Sequence, residues 1–258
     1  MEDLKITLLQ SFLLWEDQQG NLDAFAQKIE GLGTGQDLIV LPEMFTTGFS
    51  MKASQLHEQM DGPSIQWMRG QAIKSSSVIA GSLIIKENGN FYNRLIWMKP
   101  DGTYDQYDKR HLFRLANEQD HYTAGKKRKI VELNGWRINL NICYDLRFPV
   151  WSRNQDDHDI LLNVANWPAK RSLPWKTLLR ARAIENMCYV LGLNRVGNDG
   201  NDFYHSGDSA IIHPSGETIA SCSDEEKIIN ATISLTELTQ FRERFQFYKD
   251  RDHFTITT

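Results

Sequence analysis

Short apolar runs separated by polar segments organise the first half of the chain. Residues 4–9, 37–41 and 78–85 are apolar runs of strand length, which is typical of buried strands. Between them, apolar residues three or four positions apart predict one helix over residues 21–32 and another from Asp61 to about Ile73. The pattern therefore alternates strands with helices.

The middle of the chain contains a hairpin signal and one long alternating segment. Residues 93–98 and 103–107 flank the turn-forming sequence Lys99-Pro-Asp-Gly102, which predicts a β-hairpin. From Leu133 to Ile142, apolar and polar residues alternate. We expect a single strand there, ending at Cys143.

A strand, a helix and a further strand are predicted after this segment. Their ranges are 159–164, 174–186 and 188–193. The helix is expected to face the core with four apolar positions, which are Leu178, Leu179, Ala183 and Ile184.

The last part of the chain is predicted to form a hairpin and a helix. Residues 209–213 and 228–233 are expected to pair around the turn at Pro214-Ser-Gly216, and a helix starts near Thr236. We find no interdomain linker or short-period repeat. We therefore expect one α/β or α+β domain over residues 1–258, with a C-terminal tail from about residue 236.

Composition and charge exclude several classes of protein. Of the 258 residues, 41% are hydrophobic and 24% are charged, as is ordinary for a globular protein. The net charge of -4 argues against a nucleic-acid binder, and no apolar stretch reaches the roughly 18 residues of a membrane span. The acidic N-terminus predicts no secretory signal. Three widely spaced cysteines predict reduced thiols in the cytoplasm rather than a disulfide framework.

Cys143 stands where the alternating strand should stop, shortly before a helix start at Pro149. Backbone N–H groups at such a position can face a developing oxyanion, and the positive end of a helix favours a thiolate. Free cysteines are, however, often buried and pack as small hydrophobic residues. From position alone, the nucleophilic and the structural interpretation both stay open.

Three further polar residues gain a chemical meaning beside Cys143. Glu43 directly follows an apolar strand, where side chains either cap a turn or line a site. Lys109 and Glu118 occupy positions that are otherwise typical of exposed side chains. A thiol with a pKa near about 8.5 needs a base or a cation beside it. A desolvated carboxylate can be that base, and a lysine can stabilise a thiolate and an oxyanion.

Three segments resemble the signature segments of the nitrilase (carbon–nitrogen hydrolase) superfamily, in the family's order. They are Leu41-Pro-Glu-Met-Phe-Thr-Thr-Gly48, Tyr107-Asp-Lys-Arg-His-Leu-Phe113 and Asn141-Ile-Cys-Tyr-Asp-Leu-Arg-Phe-Pro149. The resemblance runs from about residue 4 to about residue 235. One departure is Val150, where many members have a glutamate.

This resemblance implies a four-layer αββα sandwich of the nitrilase type, usually dimerised through its outer helices, and a catalytic Glu-Lys-Cys triad. Glu43 would be the general base, Lys109 the oxyanion stabiliser and Cys143 the nucleophile. The backbone N–H of Tyr144 would also face the oxyanion, and Glu118 would hold Lys109. No metal or organic cofactor is implied.

Within the superfamily, the chain looks closest to the omega-amidases, which hydrolyse the terminal amide of 2-oxo dicarboxylic monoamides such as 2-oxoglutaramate. The carboxylate of such a substrate needs a cation. Arg171 is the first candidate, with Arg147 and Arg195 as rivals. Phe45 and Trp167 could wall a small pocket, although aromatic residues are equally typical of plain core.

Two other kinds of function stay open. The same triad would hydrolyse another small amide, such as an N-carbamoyl amino acid or deaminated glutathione, and a nitrile is a further but weaker alternative. A binding or scaffold protein would keep the fold without turnover, but it would have no chemical need for all three triad residues. We expect a small-molecule amide substrate and a homodimer or larger homo-oligomer, with no nucleic-acid or membrane partner.

Overall fold

Two β-sheets lie face to face in the computed structural model, which describes residues 3–155 and 158–257. Strands and helices are numbered in chain order. The first sheet has the order β13 (Lys227–Ile233), β1 (Leu4–Gln10), β2 (Leu38–Val40), β3 (Val78–Glu87), β4 (Asn90–Met98), β5 (Tyr104–Asp108). In it, β1, β2 and β3 run parallel, whereas the outer strands pair antiparallel.

The second sheet has a parallel centre as well. Its order is β10 (Val196–Asn198), β11 (Tyr204–Ile212), β9 (Tyr189–Asn194), β8 (Ile160–Ala165), β7 (Trp136–Ile142), β6 (Ile130–Leu133). An additional strand, β12 (Thr218–Ser223), pairs with β11. The parallel strands are β7, β8 and β9.

Six α-helices lie within the described ranges of the chain. They are α1 (Gln18–Glu30), α2 (Ala53–Leu56), α3 (Pro63–Ser75), α4 (Pro149–Ser152), α5 (Ser172–Asn186) and α6 (Leu235–Phe245). Helices α1 and α3 pack on the first sheet, and α5 packs on β9 and β11 of the second. The predicted four-layer αββα sandwich is confirmed. No helix within the described ranges combines the length and the hydrophobicity needed to cross a membrane.

The two-residue period of the strands decides which side chains enter which layer. In β2, Leu38 and Val40 belong to the core between the sheets, whereas Ile39 belongs to the layer under α1 and α3. In β4, Trp97 likewise faces the inner core and Ile96 the outer layer. Because both faces of these strands are covered, they appear in the sequence as continuous apolar runs.

The segment from Leu133 to Ile142 is a hairpin rather than the single strand expected. Strands β6 and β7 pair antiparallel, with Leu133 opposite Trp136. The two residues between them, Asn134 and Gly135, have φ angles of 50° and 83°. Both angles lie in the left-handed region, which Asn-Gly sequences favour in two-residue turns. The prediction missed this turn.

The expected pairing of residues 209–213 with 228–233 is also wrong. Strand β11 pairs with β12 across the predicted turn, whereas β13 crosses to the other sheet and pairs with β1. Strand β12 contains small and polar residues, so hydrophobic periodicity did not reveal it. In α5, Ile184 is 51% exposed instead of facing the core, whereas Leu179 and Ala183 are fully buried.

Four strands, two from each sheet, are followed by residues that meet at one edge of the sandwich. Glu43 follows β2, Lys109 follows β5, Cys143 follows β7 and Asn166 follows β8. Strand ends of this kind are where α/β proteins bind ligands. The fold therefore brings residues from distant parts of the sequence to one place.

Candidate active site

Cys143 begins a tight turn, Cys143–Arg147, directly after β7. Its φ angle is 46°, in the left-handed region that non-glycine residues seldom adopt. The turn is stabilised by Asp145, whose Oδ2 accepts a hydrogen bond from the backbone N–H of Ile142 at 3.0 Å. Such backbone conformations cost energy, and they persist where surrounding contacts hold them.

Asp145 also connects this turn to the segment around Lys109. Its carboxylate accepts hydrogen bonds from Tyr107 Oη at 2.7 Å and from the backbone N–H of His111 at 2.9 Å. Tyr107 Oη in turn accepts from Trp151 Nε1 at 3.0 Å. Because Tyr107 and His111 flank Lys109 in sequence, one buried carboxylate fixes the position of Lys109 relative to Cys143.

Lys109 lies between two carboxylates. Its Nζ is 2.8 Å from Glu43 Oε1 and 3.0 Å from both carboxylate oxygens of Glu118. All three side chains have 0% or 1% exposure. The ammonium also lies 4.9 Å from the ring centroid of Phe49. The structure thus brings together the three charged residues that the sequence proposed.

Two asparagines that the sequence analysis missed hold Glu43. Asn93 Nδ2 donates to Glu43 Oε1 at 2.8 Å, and the backbone N–H of Asn166 donates to Oε2 at 2.7 Å. The Asn166 side chain also donates to the backbone carbonyl of Glu43 at 2.6 Å. Asn166 directly follows β8, so its place after an apolar strand was a signal that could have identified it.

Glu118 is fully buried rather than solvated in its polar loop. Besides Lys109, its carboxylate accepts the backbone N–H of Phe113 at 2.5 Å. Asn117 precedes it with a φ angle of 56°, which turns the chain inward. The loop between Lys109 and Gly125 is therefore long enough to bring Glu118 back to the lysine.

Burial and neighbouring charges shift the pKa values of this cluster. Burial opposes the charged form of Lys109, but the negative charges of Glu118 and Glu43 outweigh it and raise its pKa above the usual range. Burial raises the pKa of Glu118, against the opposing charge of Lys109. Burial, together with the negative charge of Glu43, raises the pKa of Cys143 well above that of a free thiol. The sulfur is therefore a thiol in the free protein.

Cys143 opens into a cavity of about 510 Å³. Tyr144, Asn166 and Trp167 line it close to the thiol, whose Sγ lies 3.9 Å from the carbonyl oxygen of Asn166. The size is within the usual range for small-ligand sites. Two of the residues predicted to contact substrate, Tyr144 and Trp167, are thus placed at this cavity.

Two arginines stand in the cavity wall. The Arg147 guanidinium lies 5.0 Å from the ring centroid of Trp167, and that of Arg171 lies 5.1 Å from the ring centroid of Phe113. Among the described residues, no carboxylate is within ion-pair distance of either guanidinium. Burial and the like charge of Arg147 lower the pKa of Arg171. The two cations are therefore available to an anionic ligand.

Arg195 is not a rival for this role. Its fully buried guanidinium donates to the backbone carbonyls of Val196 at 3.3 Å and Asn198 at 2.7 Å, and it does not line the cavity. Burial lowers its pKa to about 10. Arg195 holds a loop together instead of facing a substrate.

Phe45 is not at the cavity either, so its predicted place in the pocket wall is wrong. The ring is fully buried in the layer beneath α1 and α3, 5.7 Å from the ring centroid of Phe25 and 5.8 Å from that of Trp67. It points away because the chain turns at Met44, which has a φ angle of 44°. Within the described ranges, no group of three or more His, Cys, Asp or Glu side chains could hold a metal ion.

Comparison with known proteins agrees with this geometry. Residues 5–243 match the carbon-nitrogen hydrolase family model. The chain is 50% identical to omega-amidase YafV of Escherichia coli strain K12, over 99% of this chain and 100% of that one. It is 35% identical to 2-oxoglutaramate amidase of Bacillus subtilis strain 168, over 95% and 96% of the two chains.

Solved structures agree as well. A CN-hydrolase superfamily protein from Xanthomonas campestris, with an arsenic adduct in its active site, superimposes with a TM-score of 0.98 at 46% identity over 100% of both chains. Nit3 of Saccharomyces cerevisiae shares the fold, with a TM-score of 0.84 at 23% identity over 95% and 94% of the two chains. The family inferred from the three sequence segments is confirmed, and the chain belongs to the carbon–nitrogen hydrolase family, a family of hydrolases that act on carbon–nitrogen bonds.

Proposed function

We propose that this protein is an omega-amidase that releases ammonia from the terminal amide of small 2-oxo dicarboxylic monoamides, with 2-oxoglutaramate as the prototype. One arrangement supports the proposal above all. A buried thiol with a carboxylate–lysine pair beside it opens into a cavity that contains two arginines, and neither arginine has a carboxylate partner among the residues that the structure describes. Relatives named for this activity match over nearly the whole chain.

In the first half-reaction, Glu43 takes the proton of the Cys143 thiol while the sulfur attacks the amide carbon. This coupling is needed because the raised pKa of Cys143 keeps the thiol protonated before substrate arrives. Lys109 and the backbone N–H of Tyr144 stabilise the oxyanion of the tetrahedral intermediate. Glu43 then returns the proton to the departing nitrogen, the C–N bond breaks, and ammonia leaves a thioester on Cys143.

In the second half-reaction, Glu43 removes a proton from water, which attacks the thioester carbon. The C–S bond then breaks, the sulfur regains a proton, and the carboxylic acid leaves. Asn93 and Asn166 hold the two Glu43 oxygens by hydrogen bonds, so the carboxylate keeps its direction through both steps. Glu118 fixes Lys109 from the other side.

The arginines supply a reason for substrate choice. A guanidinium grips a carboxylate through two parallel N–H···O bonds, which is stronger than a contact between neutral groups. We assign the carboxylate of the 2-oxo acid to Arg171, with Arg147 beside it and the Trp167 ring against Arg147. Glutamine would bring a cationic amino group where the 2-oxo acid has a neutral carbonyl, and like charges disfavour it there.

We further infer that residues 1–258 act as one catalytic unit, in the cytoplasm, as a homodimer or larger homo-oligomer. The family match over residues 5–243 supports a single unit. All three cysteines, which lie in the described ranges, are unpaired, and this supports a reducing compartment.

The test is ammonia release from 2-oxoglutaramate, glutamine and an N-carbamoyl amino acid by the wild type and by Cys143→Ala. We expect rapid release from the oxo-amide, slow or no release from the others, and none in Cys143→Ala. Cys188→Ala is the matched control, because Cys188 is fully buried in the hydrophobic core between α5 and β9 and does not line the cavity. Preference for the N-carbamoyl amino acid would leave the assignment of the triad intact but would replace 2-oxoglutaramate as the proposed substrate. Activity surviving in Cys143→Ala would refute the mechanism.

A further inference from the structure

A buried carboxylate outside the catalytic cluster ties the start of α5 to the second sheet. Asp208, in β11, is 6% exposed and has a φ angle of 57° at the irregular register between β11 and β12. Its carboxylate accepts three hydroxyl hydrogen bonds, from Ser172 at 2.7 Å, Ser206 at 2.5 Å and Ser223 at 2.7 Å. These hydrogen bonds, with Lys176 nearby, lower its pKa despite its burial.

One of these three contacts leads directly to the substrate cavity. Ser172 is the first residue of α5 and follows Arg171 in sequence. The backbone carbonyl of Arg171 is itself held by Trp167 Nε1 at 2.7 Å. The backbone carbonyl of Asp208 accepts Trp175 Nε1 at 2.8 Å, and Trp175 packs on Trp167. Asp208 therefore restrains the backbone at Arg171.

This restraint is separate from the contacts that hold the reacting groups. Glu43 is positioned by Asn93 and Asn166, and the Cys143 turn is held by Asp145. None of these five residues is hydrogen-bonded to Asp208, whose hydroxyl partners lie on α5, β11 and β12. Asp208 also does not line the cavity. Two different sets of contacts therefore position the reacting groups and the proposed anion site.

We propose that Asp208, acting through Ser172, is a positioning residue that sets the affinity for the substrate carboxylate by fixing Arg171. The proposal rests on the function assigned to Arg171 above. A flexible arginine loses side-chain freedom when it binds, and a mobile backbone adds to that loss. The Ser172–Asp208 contact removes part of the backbone freedom before the ligand arrives.

The structure offers a matched pair of variants to test this. Ser172→Ala and Ser223→Ala each remove one hydroxyl that donates to Asp208 at 2.7 Å, but only Ser172 is next to Arg171. We expect Ser172→Ala to raise KM for 2-oxoglutaramate about tenfold, as the entropic cost of fixing one residue's backbone on binding predicts, with kcat within about twofold. Ser223→Ala should leave both constants near the wild-type values.

A reagent without a carboxylate separates weaker binding of the substrate carboxylate from a general loss of order around the active site. Alkylation of Cys143 by iodoacetamide, a small neutral amide, should proceed at the wild-type rate in both serine variants. Equal KM increases in Ser172→Ala and Ser223→Ala, or slower alkylation in Ser172→Ala, would overturn the proposal in favour of a merely structural role.

A third variant, Arg171→Met, distinguishes failure of the positioning role of Asp208 from failure of the proposed function. If Arg171→Met raises KM and Ser172→Ala does not, the positioning role is wrong while the carboxylate site stands. If Arg171→Met itself leaves KM for 2-oxoglutaramate unchanged, the assignment of Arg171 is wrong, and the role of Asp208 falls with it.

Discussion

Lys109 Nζ lies 2.8 Å from Glu43 Oε1, and neither side chain has any exposed surface. Removing two such charges from water is costly, and a close contact with further hydrogen bonds is needed to offset that cost. Here Glu118 adds a second carboxylate on the same ammonium. The cluster therefore has one carboxylate more than ammonium, directly beside the Cys143 thiol, and this is the charge state suited to accepting the thiol proton.

Lys109→Met should abolish turnover and also destabilise the fold by about 3–5 kcal/mol, because it leaves two carboxylates buried without their cation. Adding Glu118→Gln should restore a large part of the lost stability, since only one buried carboxylate then remains, but none of the activity. Urea denaturation and ammonia release measure the two effects. A double variant no more stable than Lys109→Met alone would mean that the two carboxylates do not share the lysine energetically.

Stability should depend on pH through Cys143. Its pKa is raised in the folded protein by burial, so the unfolded chain loses this proton first as pH rises. Above about 8.5, the usual thiol value, the unfolded state binds fewer protons than the folded state, and stability falls by about 1.4 kcal/mol per pH unit from this group alone.

Cys143→Ala isolates this contribution. The free energy of unfolding of the wild type, measured by urea denaturation between about pH 8 and 10, should fall more steeply than that of the variant. Below the thiol's usual pKa the two curves should run parallel, because both states are then protonated. Parallel curves throughout the range would show that the folded thiol titrates normally.

Arg147→Met should affect substrate binding, whereas Arg195→Met should affect stability. Arg147 lies in the cavity wall, so its loss should raise KM for 2-oxoglutaramate about 10- to 100-fold, as expected for a charge-assisted hydrogen bond, with little change in stability. Arg195 supplies donors to backbone carbonyls, so its loss should lower stability instead. Steady-state kinetics on the folded fraction and thermal unfolding separate the two outcomes. Equal KM values for Arg147→Met and the wild type would remove Arg147 from the anion site.

Phe45 and Phe49 provide a second matched pair. Phe45→Ala should destabilise the protein by about 3–5 kcal/mol through an internal cavity while KM stays near the wild-type value. Phe49 lines the substrate cavity and lies 4.9 Å from Lys109 Nζ, so Phe49→Ala should lower kcat/KM with a smaller loss of stability. If Phe45→Ala instead changed KM in a fully folded protein, the ring would be coupled to the site after all.

The local sequence pattern alone indicated the strand ends that carry the triad and the family of this protein. The strand that ends before Glu43 could be read from a continuous apolar run, because a strand covered on both faces leaves that signature. A hairpin signal indicated the strand before Lys109, and an alternating segment indicated the strand before Cys143. The three segments around these residues also indicated the family, which the comparisons confirm. Hydrophobic periodicity was weakest where a strand is small and polar, as in β12, and where an Asn-Gly turn interrupts an alternating run.

Only the tertiary structure decided which residues surround the triad. Asn93 and Asn166 contact Glu43 from 50 and 123 positions away. The position of Asn166 after an apolar strand marks it as a possible site residue, but nothing in the sequence pairs either asparagine with Glu43. The sequence also could not separate the three arginines. In the structure, the guanidinium of Arg195 contacts backbone carbonyls, whereas those of Arg147 and Arg171 line the open cavity. Phe45, two residues from Glu43, faces the opposite layer because the backbone turns between them. Sequence periodicity reports which side of a strand is apolar, whereas a site depends on which strand ends meet, and that is set by the packing of the two sheets.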